Sequence, residues 1–322
     1  MINKEQLIGL YYQIALIRLM EERSGEMYMR GKIRGFLHLY IGEEAIAVGT
    51  IAATEPQDYI ITHYRDHGHA IARGIPSNTI MAELYGKASG CSGGRGGSMH
   101  LFDSSRNFAG GHAIVGGQLP IALGLAIAAQ KSGKNGVVLC YFGDGVLNQG
   151  EFHESMNLAS VWKLPILFVL ENNLYGMGSH IERVHSGGKD AYKIADYYRI
   201  PSSQVDGMDV LKVKEATEKA INSIRAGKGP FFMEALTWRF QGHSVADPQS
   251  YRTREENIPW LPKDPLTSFR AYLLDSAQAT AEELDTVDQQ VQAEVDEAVR
   301  FAEESPYPEN DTLLEAIYSP QE

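Results

Sequence analysis

The stretch GDGVLNQGEFHESMNLASVWKLPILFVLENN spans residues 143–173, with an aspartate near one end and paired asparagines at the other. Gly-Asp-Gly directly follows the apolar run GVVLCYF, and Asn-Asn closes the run PILFVLE. Asp144 offers a hard anionic oxygen and Asn173 a neutral carbonyl oxygen, while glycines on both sides of Asp144 let the backbone turn sharply and approach a ligand. Magnesium takes oxygen ligands in a near-octahedral shell and shares them with phosphates. One carboxylate, one amide oxygen, a backbone carbonyl and two diphosphate oxygens would nearly fill such a shell. A dinucleotide site fits poorly, because the sixth position of G-x-G-x-x-G counted from Gly143 is Asn148. The phosphate-loop lysine motif is also absent. Either end alone reads equally well as a plain turn or strand end; both together, on consecutive strands, point to phosphate chemistry.

The elements that must present these residues are legible around them. GVVLCYFGDG, PILFVLENN and FFMEALTWRF are continuous apolar runs of strand length, as expected for central parallel strands covered on both faces. Between the first two lies the helical pattern QGEFHESMNLASVWKL, stopped by Pro165, with a helix N-terminus after Gly145 directed at the phosphates. This strand-helix-strand unit predicts an α/β fold with a doubly wound, mainly parallel sheet and helices on both faces. Ligands of such sheets gather at the carboxyl ends of the strands. Residues 1–31 form an amphipathic helix ended near Gly31, with Leu7, Leu10, Tyr11, Ile14 and Ile17 at helical spacing. YIITHYRDHGHAIARGI gives a short strand and then a loop holding Tyr64, Arg65 and three histidines. SNTIMAELYG is a helix capped by Ser77 or Asn78, the glycine-dense GKASGCSGGRGGSMHLF a loop, and GGQLPIALGLAIAAQKSG a small-residue helix. The polar segment 240–265 is a loop, and the tail 266–322 is helical with Leu284, Val287, Val291, Val295, Ala298 and Ala302 on one face. We read residues 1–322 as a single domain.

Composition narrows the functions. A hydrophobic content of 43% and charged content of 22% are ordinary globular values, and a net charge of −12 argues against nucleic acid or an anionic membrane as partner. The apolar runs fall short of the ~20 residues of a membrane span. Two cysteines, Cys91 and Cys140, make no disulfide framework, and the N-terminus carries no transit or signal pattern. A cytoplasmic protein is expected.

With those residues in view, the chain resembles the alpha subunits of two-subunit, thiamine-diphosphate-dependent 2-oxo acid dehydrogenases, the pyruvate dehydrogenase first component in particular. Gly-Asp-Gly followed after 26 residues by Asn-Asn is similar to that family's cofactor motif. The likeness extends from about residue 5 to 318 through GEEA, YRDHG, GGRGGSMH, GGHAIVGGQ, ENNLYGMG and GHSVADPQSYRTREE. It implies a thiamine-diphosphate-binding fold and magnesium held by Asp144, Asn173 and the backbone carbonyl of Tyr175. It further implies Gly145 and Val146 against the diphosphate, Tyr64 and Arg65 on the phosphates, and Ala113, Ile114 and Val115 along the middle of the cofactor. Position 113 is alanine where relatives often have glycine. His243 matches the histidine that faces the reacting carbon and assists acyl transfer, and His38 and His67 match further positions near the substrate or loop. Ser244 and Ser250 fall where mitochondrial relatives are phosphorylated, whereas a third such position holds His180; with no transit segment, a bacterial-type enzyme outside that control is expected.

The implied reaction decarboxylates pyruvate and passes the acetyl group to the lipoyl group of a dihydrolipoyl acyltransferase, the second component of the complex, on the route from glycolysis to acetyl-CoA. The implied assembly is two alpha and two beta chains, with the activating glutamate on beta. Acetoin dehydrogenase alpha subunits share nearly all the cofactor residues and are the alternative; branched-chain relatives match less well around YRDHG and GGRGGSMH.

Overall fold

The protein is described here by a computed structural model covering residues 2–314, with the side chain of Leu313 excluded. The predicted tail to residue 322 and the resemblance to residue 318 both extend into positions 315–322, outside the described residues. The chain runs α1 (Lys4–Met29), α2 (Glu44–Ile51), β1 (Tyr59–His63), α3 (His67–Ala72), α4 (Ser77–Leu84), β2 (Phe108–His112), α5 (Gln118–Ser132), β3 (Val138–Gly143), α6 (Gly150–Val161), β4 (Ile166–Asn172), the hairpin strands β5 (Tyr175–Gly176) and β6 (Ser179–His180), the single turns α7 (Ile181–Val184) and α8 (Ile194–Tyr197), β7 (Ser202–Asp206), α9 (Val210–Ser223), β8 (Phe231–Leu236), α10 (Pro265–Asp275) and α11 (Ala281–Glu304).

Six strands form one sheet in the order β2-β1-β3-β4-β8-β7, every pairing parallel. The predicted runs are its centre: all of β4 and all but the last residue of β3 are buried. One face packs on α1–α4 and α9–α11, and the other on α5 and α6. The stripe Leu284, Val287, Val291, Val295, Ala298 and Ala302 is buried along α11, each Leu or Val contributing roughly 1.5–3 kcal/mol.

Order and register together fix where a ligand can sit. From β1 the chain moves outward to β2, then returns to β3 on the other side of β1 and proceeds to β4. The connections after β1 and β3 therefore diverge and open a crevice between them at their carboxyl ends. Gly143 pairs with Glu171, so Asp144 and Asn173 leave the sheet at the same edge.

Several local expectations needed adjustment. Helix α6 begins at Gly150, because residues Asp144–Asn148 form a 3-10 turn rather than the start of the helix. The residues after Arg65 are helical, so His67 and His69 belong to α3 rather than a loop. Pro76, not Ser77 or Asn78, occupies the N-cap of α4. Helix α1 is capped by a reciprocal Asn3–Gln6 pair and stops just before Gly31, which has φ +72°.

Candidate active site at the sheet switch point

A cavity of about 500 Å³ opens at that crevice, lined by residues of the β1 end (His63, Tyr64, Arg65), the β3 end (Asp144, Gly145, Val146), the β4 end (Glu171, Asn173, Tyr175), and His38, Glu43, Arg239 and His243.

The paired asparagines are explained by the turn they build. Asn172 Oδ1 accepts from Leu174 N–H at 2.9 Å, and Asn173 Oδ1 from Tyr175 N–H at 3.2 Å. These bonds hold Leu174 at φ +70°, a conformation that L-residues rarely adopt, with Met177 at φ +56° shortly after. Each amide is pinned from behind by a buried glutamate: Asn172 Nδ2 donates to Glu234 at 2.6 Å and Asn173 Nδ2 to Glu43 at 2.8 Å.

Asp144 is 4% exposed, and its Oδ2 has no hydrogen-bond partner among the described residues. Burial pushes its carboxyl up to about 7; the Glu43 charge pushes the same way and Arg239 opposes it. A Cβ on Gly145 would meet nothing within 4 Å, and one on Gly176 would lie 3.5 Å from Asp144 Oδ2. A buried anion with an orphan oxygen beside open space is set up for a cation. Among the described residues no trio of His, Cys, Asp or Glu is grouped to hold a metal alone, so further oxygens must come from Asn173, a backbone carbonyl or the ligand.

Two buried guanidinium groups face this region. Arg65 donates to the carbonyls of Leu39 (2.7 Å) and His243 (3.0 Å), with Nε 3.4 Å from Glu43. Arg239 is 1% exposed, donates to Tyr251 Oη at 2.9 Å and reaches the Tyr175 carbonyl at 3.5 Å. His38 packs at a tilt on Tyr64, centroids 4.6 Å apart, and both meet His243 edge to face, at 5.1 Å from His38. Burial, reinforced by Arg65, lowers His38 to about 2 and His243 to about 4, so both rings are neutral near pH 7, and Nδ1 of each lacks a partner among the described residues.

His67 does not join them. Its Nδ1 lies 2.9 Å from Glu21, its Nε2 2.9 Å from Ser98 Oγ, and it is absent from the cavity lining. Burial would lower its pKa, but Glu21 outweighs burial and raises it. The histidine that does line the cavity is His63. Its Nδ1 accepts from Arg65 N–H at 3.1 Å, which leaves the proton on Nε2, 2.5 Å from Glu171. His69 and Tyr40 also bond Glu171, and the two histidines outweigh burial and hold its carboxyl low. Ala113 and Val115 line the cavity, whereas Ile114 between them is 75% exposed. Ser244 lines the cavity too, and Ser250 is exposed.

Sequence reasoning missed Glu43, His63, Glu171 and Arg239. The available signal was charge inside apolar context, as in YIGEEAIAVG, FVLENN and TWRF.

A parallel α/β sheet whose switch point carries an anionic oxygen, an amide oxygen and two buried arginines defines a phosphate-cofactor enzyme of the doubly wound class. The chain belongs to the dehydrogenase E1 component family, which it matches over residues 12–311. It is similar to proteins named pyruvate dehydrogenase E1 component subunit alpha in Porphyra purpurea (41% identity over 99% of this chain and 94% of the relative), Rhizobium meliloti strain 1021 (44%, 98% and 90%) and Zymomonas mobilis strain ZM4 (45%, 98% and 89%).

Proposed function

We propose that this chain is the alpha subunit of a pyruvate dehydrogenase first component, using thiamine diphosphate and Mg2+ to decarboxylate pyruvate and pass the acetyl group to a lipoyl group. The observation that carries the site assignment is the orphan oxygen of buried Asp144 at the switch-point crevice. The acetoin and branched-chain readings lack comparable support, since the relatives above are named for pyruvate.

In this reading Asp144, Asn173 and the Tyr175 carbonyl would hold Mg2+, and Gly145 and Val146 would lie against the diphosphate. Tyr64 and Arg65 would contact the phosphates, Arg65 through the Nη hydrogens not used on the Leu39 and His243 carbonyls. Ala113 and Val115 would flank the middle of the cofactor, with exposed Ile114 at the open side of the cavity. Bound thiamine diphosphate supplies the electron sink for loss of carbon dioxide from a 2-oxo acid. His243 and His38 are neutral near pH 7 with Nδ1 unpartnered among the described residues, so each ring can hydrogen-bond a reacting group there and, on taking a proton from it, would carry the positive charge only transiently. His67 acts through Glu21 and Ser98, as a support rather than at the reacting atoms.

The cavity's other carboxylates are engaged: Glu43 by Asn173 and Arg65, Glu171 by Tyr40, His63 and His69. Neither is free to activate the aminopyrimidine ring, which supports a glutamate from a partner beta chain in a two-alpha, two-beta assembly. Phe36 and Met177, which line the cavity, and Ile114 beside it are all well exposed and suit a surface closed by that chain. No helix of the described residues is long and apolar enough to cross a membrane. With bacterial relatives among the matches, we assign the enzyme to the cytoplasm.

The test is co-expression with the beta chain and comparison of pyruvate, acetoin and branched 2-oxo acids with a lipoyl acceptor. Pyruvate should give the highest kcat/KM; preference for acetoin would overturn the substrate assignment.

A further inference from the structure

Glu43 is a buried carboxylate, 1% exposed, in a cavity suited to an anionic ligand. Its place is set by Gly42, which has φ +102° and where a Cβ would lie 2.1 Å from the Trp238 carbonyl. No side chain fits there, so the backbone runs hard against the segment after β8 and leaves Glu43 between Asn173 and Arg65.

An asparagine amide is nearly symmetric in shape, and its partners decide which end faces a cation. An ionised carboxylate only accepts, so Glu43 selects the amide nitrogen; the Tyr175 N–H only donates, so it selects the oxygen. Asn172 repeats the construction with Glu234 and the Leu174 N–H. We propose that Glu43 is a positioning residue that holds the Asn173 amide with its oxygen turned away from Glu43, and that this orientation sets the divalent-cation affinity of the site. The inference rests on the metal reading of Asp144 and Asn173. Without an acceptor at position 43, the Tyr175 N–H remains the only described contact holding the amide, and the ligand oxygen is no longer presented in one orientation.

The experiment titrates Mn2+ by electron paramagnetic resonance into the assembled alpha-beta enzyme with thiamine diphosphate present. Glu43→Met keeps the length of the side chain without an acceptor, and Glu43→Gln keeps an acceptor oxygen without the charge. Glu43→Met should bind Mn2+ at least ~10-fold more weakly, the usual effect of losing an outer-shell partner. Glu43→Gln should retain most of the affinity and serves as the test if the methionine variant fails to assemble. Unchanged affinity in Glu43→Met overturns the inference. Equal weakening in both variants also overturns it, because charge rather than orientation would then be the cause. Asp144→Asn separates the two levels: if it leaves Mn2+ binding intact the metal reading fails, and if it abolishes binding while Glu43→Met does not, only the orienting role falls.

Discussion

Replacing Asp144 with asparagine should stabilise the metal-free protein while removing its response to metal. At about 1.4 kcal/mol per pH unit, moving the carboxyl from 3.8 to about 7 makes the ionised side chain cost the metal-free fold on the order of 4 kcal/mol above neutrality. Asparagine removes the charge but puts an amide where Oδ2 has no partner, and an unsatisfied buried donor costs about 1–3 kcal/mol. The net expectation is a gain of about 1–3 kcal/mol at pH 8. The pH dependence has a definite sign. The folded carboxyl holds its proton more tightly than the unfolded one, so the penalty is absent below about pH 4, grows between about 4 and 7, and is complete above. Urea denaturation of the metal-free assembled enzyme at pH 5 and pH 8 checks this directly. The variant should gain on the wild type at pH 8 and lose most of that gain at pH 5. Adding Mg2+ with thiamine diphosphate should then raise the wild type alone. A variant less stable than wild type at both pH values would refute the claim that this carboxylate is held at a cost for want of a cation.

His243→Ala should retain cofactor binding by calorimetry but lose about 10²–10⁴-fold in transfer to a lipoyl acceptor; normal reductive acylation would return the residue to a structural role. Glu83 is buried and accepts from the backbone N–H groups of Ser92, Gly94, Gly96 and Gly97 at 2.8–3.0 Å. Glu83→Gln leaves one acceptor oxygen for those donors, so the loop should loosen, with a loss of about 2–3 kcal/mol and faster tryptic cleavage after Arg95 as the readout. Glu171→Gln leaves His63, His69 and Tyr40 without their shared anion and should cost about 3–5 kcal/mol in urea denaturation; a loss below 1 kcal/mol would mean the network is not held by charge.

The centre of the sheet was readable because β3, β4 and β8 are buried on both faces and appear as unbroken apolar runs. The edge strands were not: β2 is FAGGH, with two glycines, and β7 is the polar, half-exposed SSQVD. Asp144 and Asn173 stood out because each ends a strand, and the parallel register brings those ends together. Glu43, Glu171 and Arg239 each reach a partner 64 to 131 positions away in sequence, a relation that local pattern does not encode. The histidines of YRDHG illustrate the same limit. Whether His63 or His67 meets the cavity depends on where β1 ends and α3 begins, and α3 turns His67 toward Glu21.

In the proposed function the crevice between the β1 and β3 ends binds a diphosphate through a cation on Asp144 and Asn173. Isothermal titration of thiamine diphosphate into the assembled wild-type and Asp144→Ala enzymes, with and without Mg2+, tests it most directly. Binding should depend on Mg2+ in the wild type, and the variant should lose that dependence together with most of the affinity. Equal affinity in both proteins, with Mg2+ present, would contradict it.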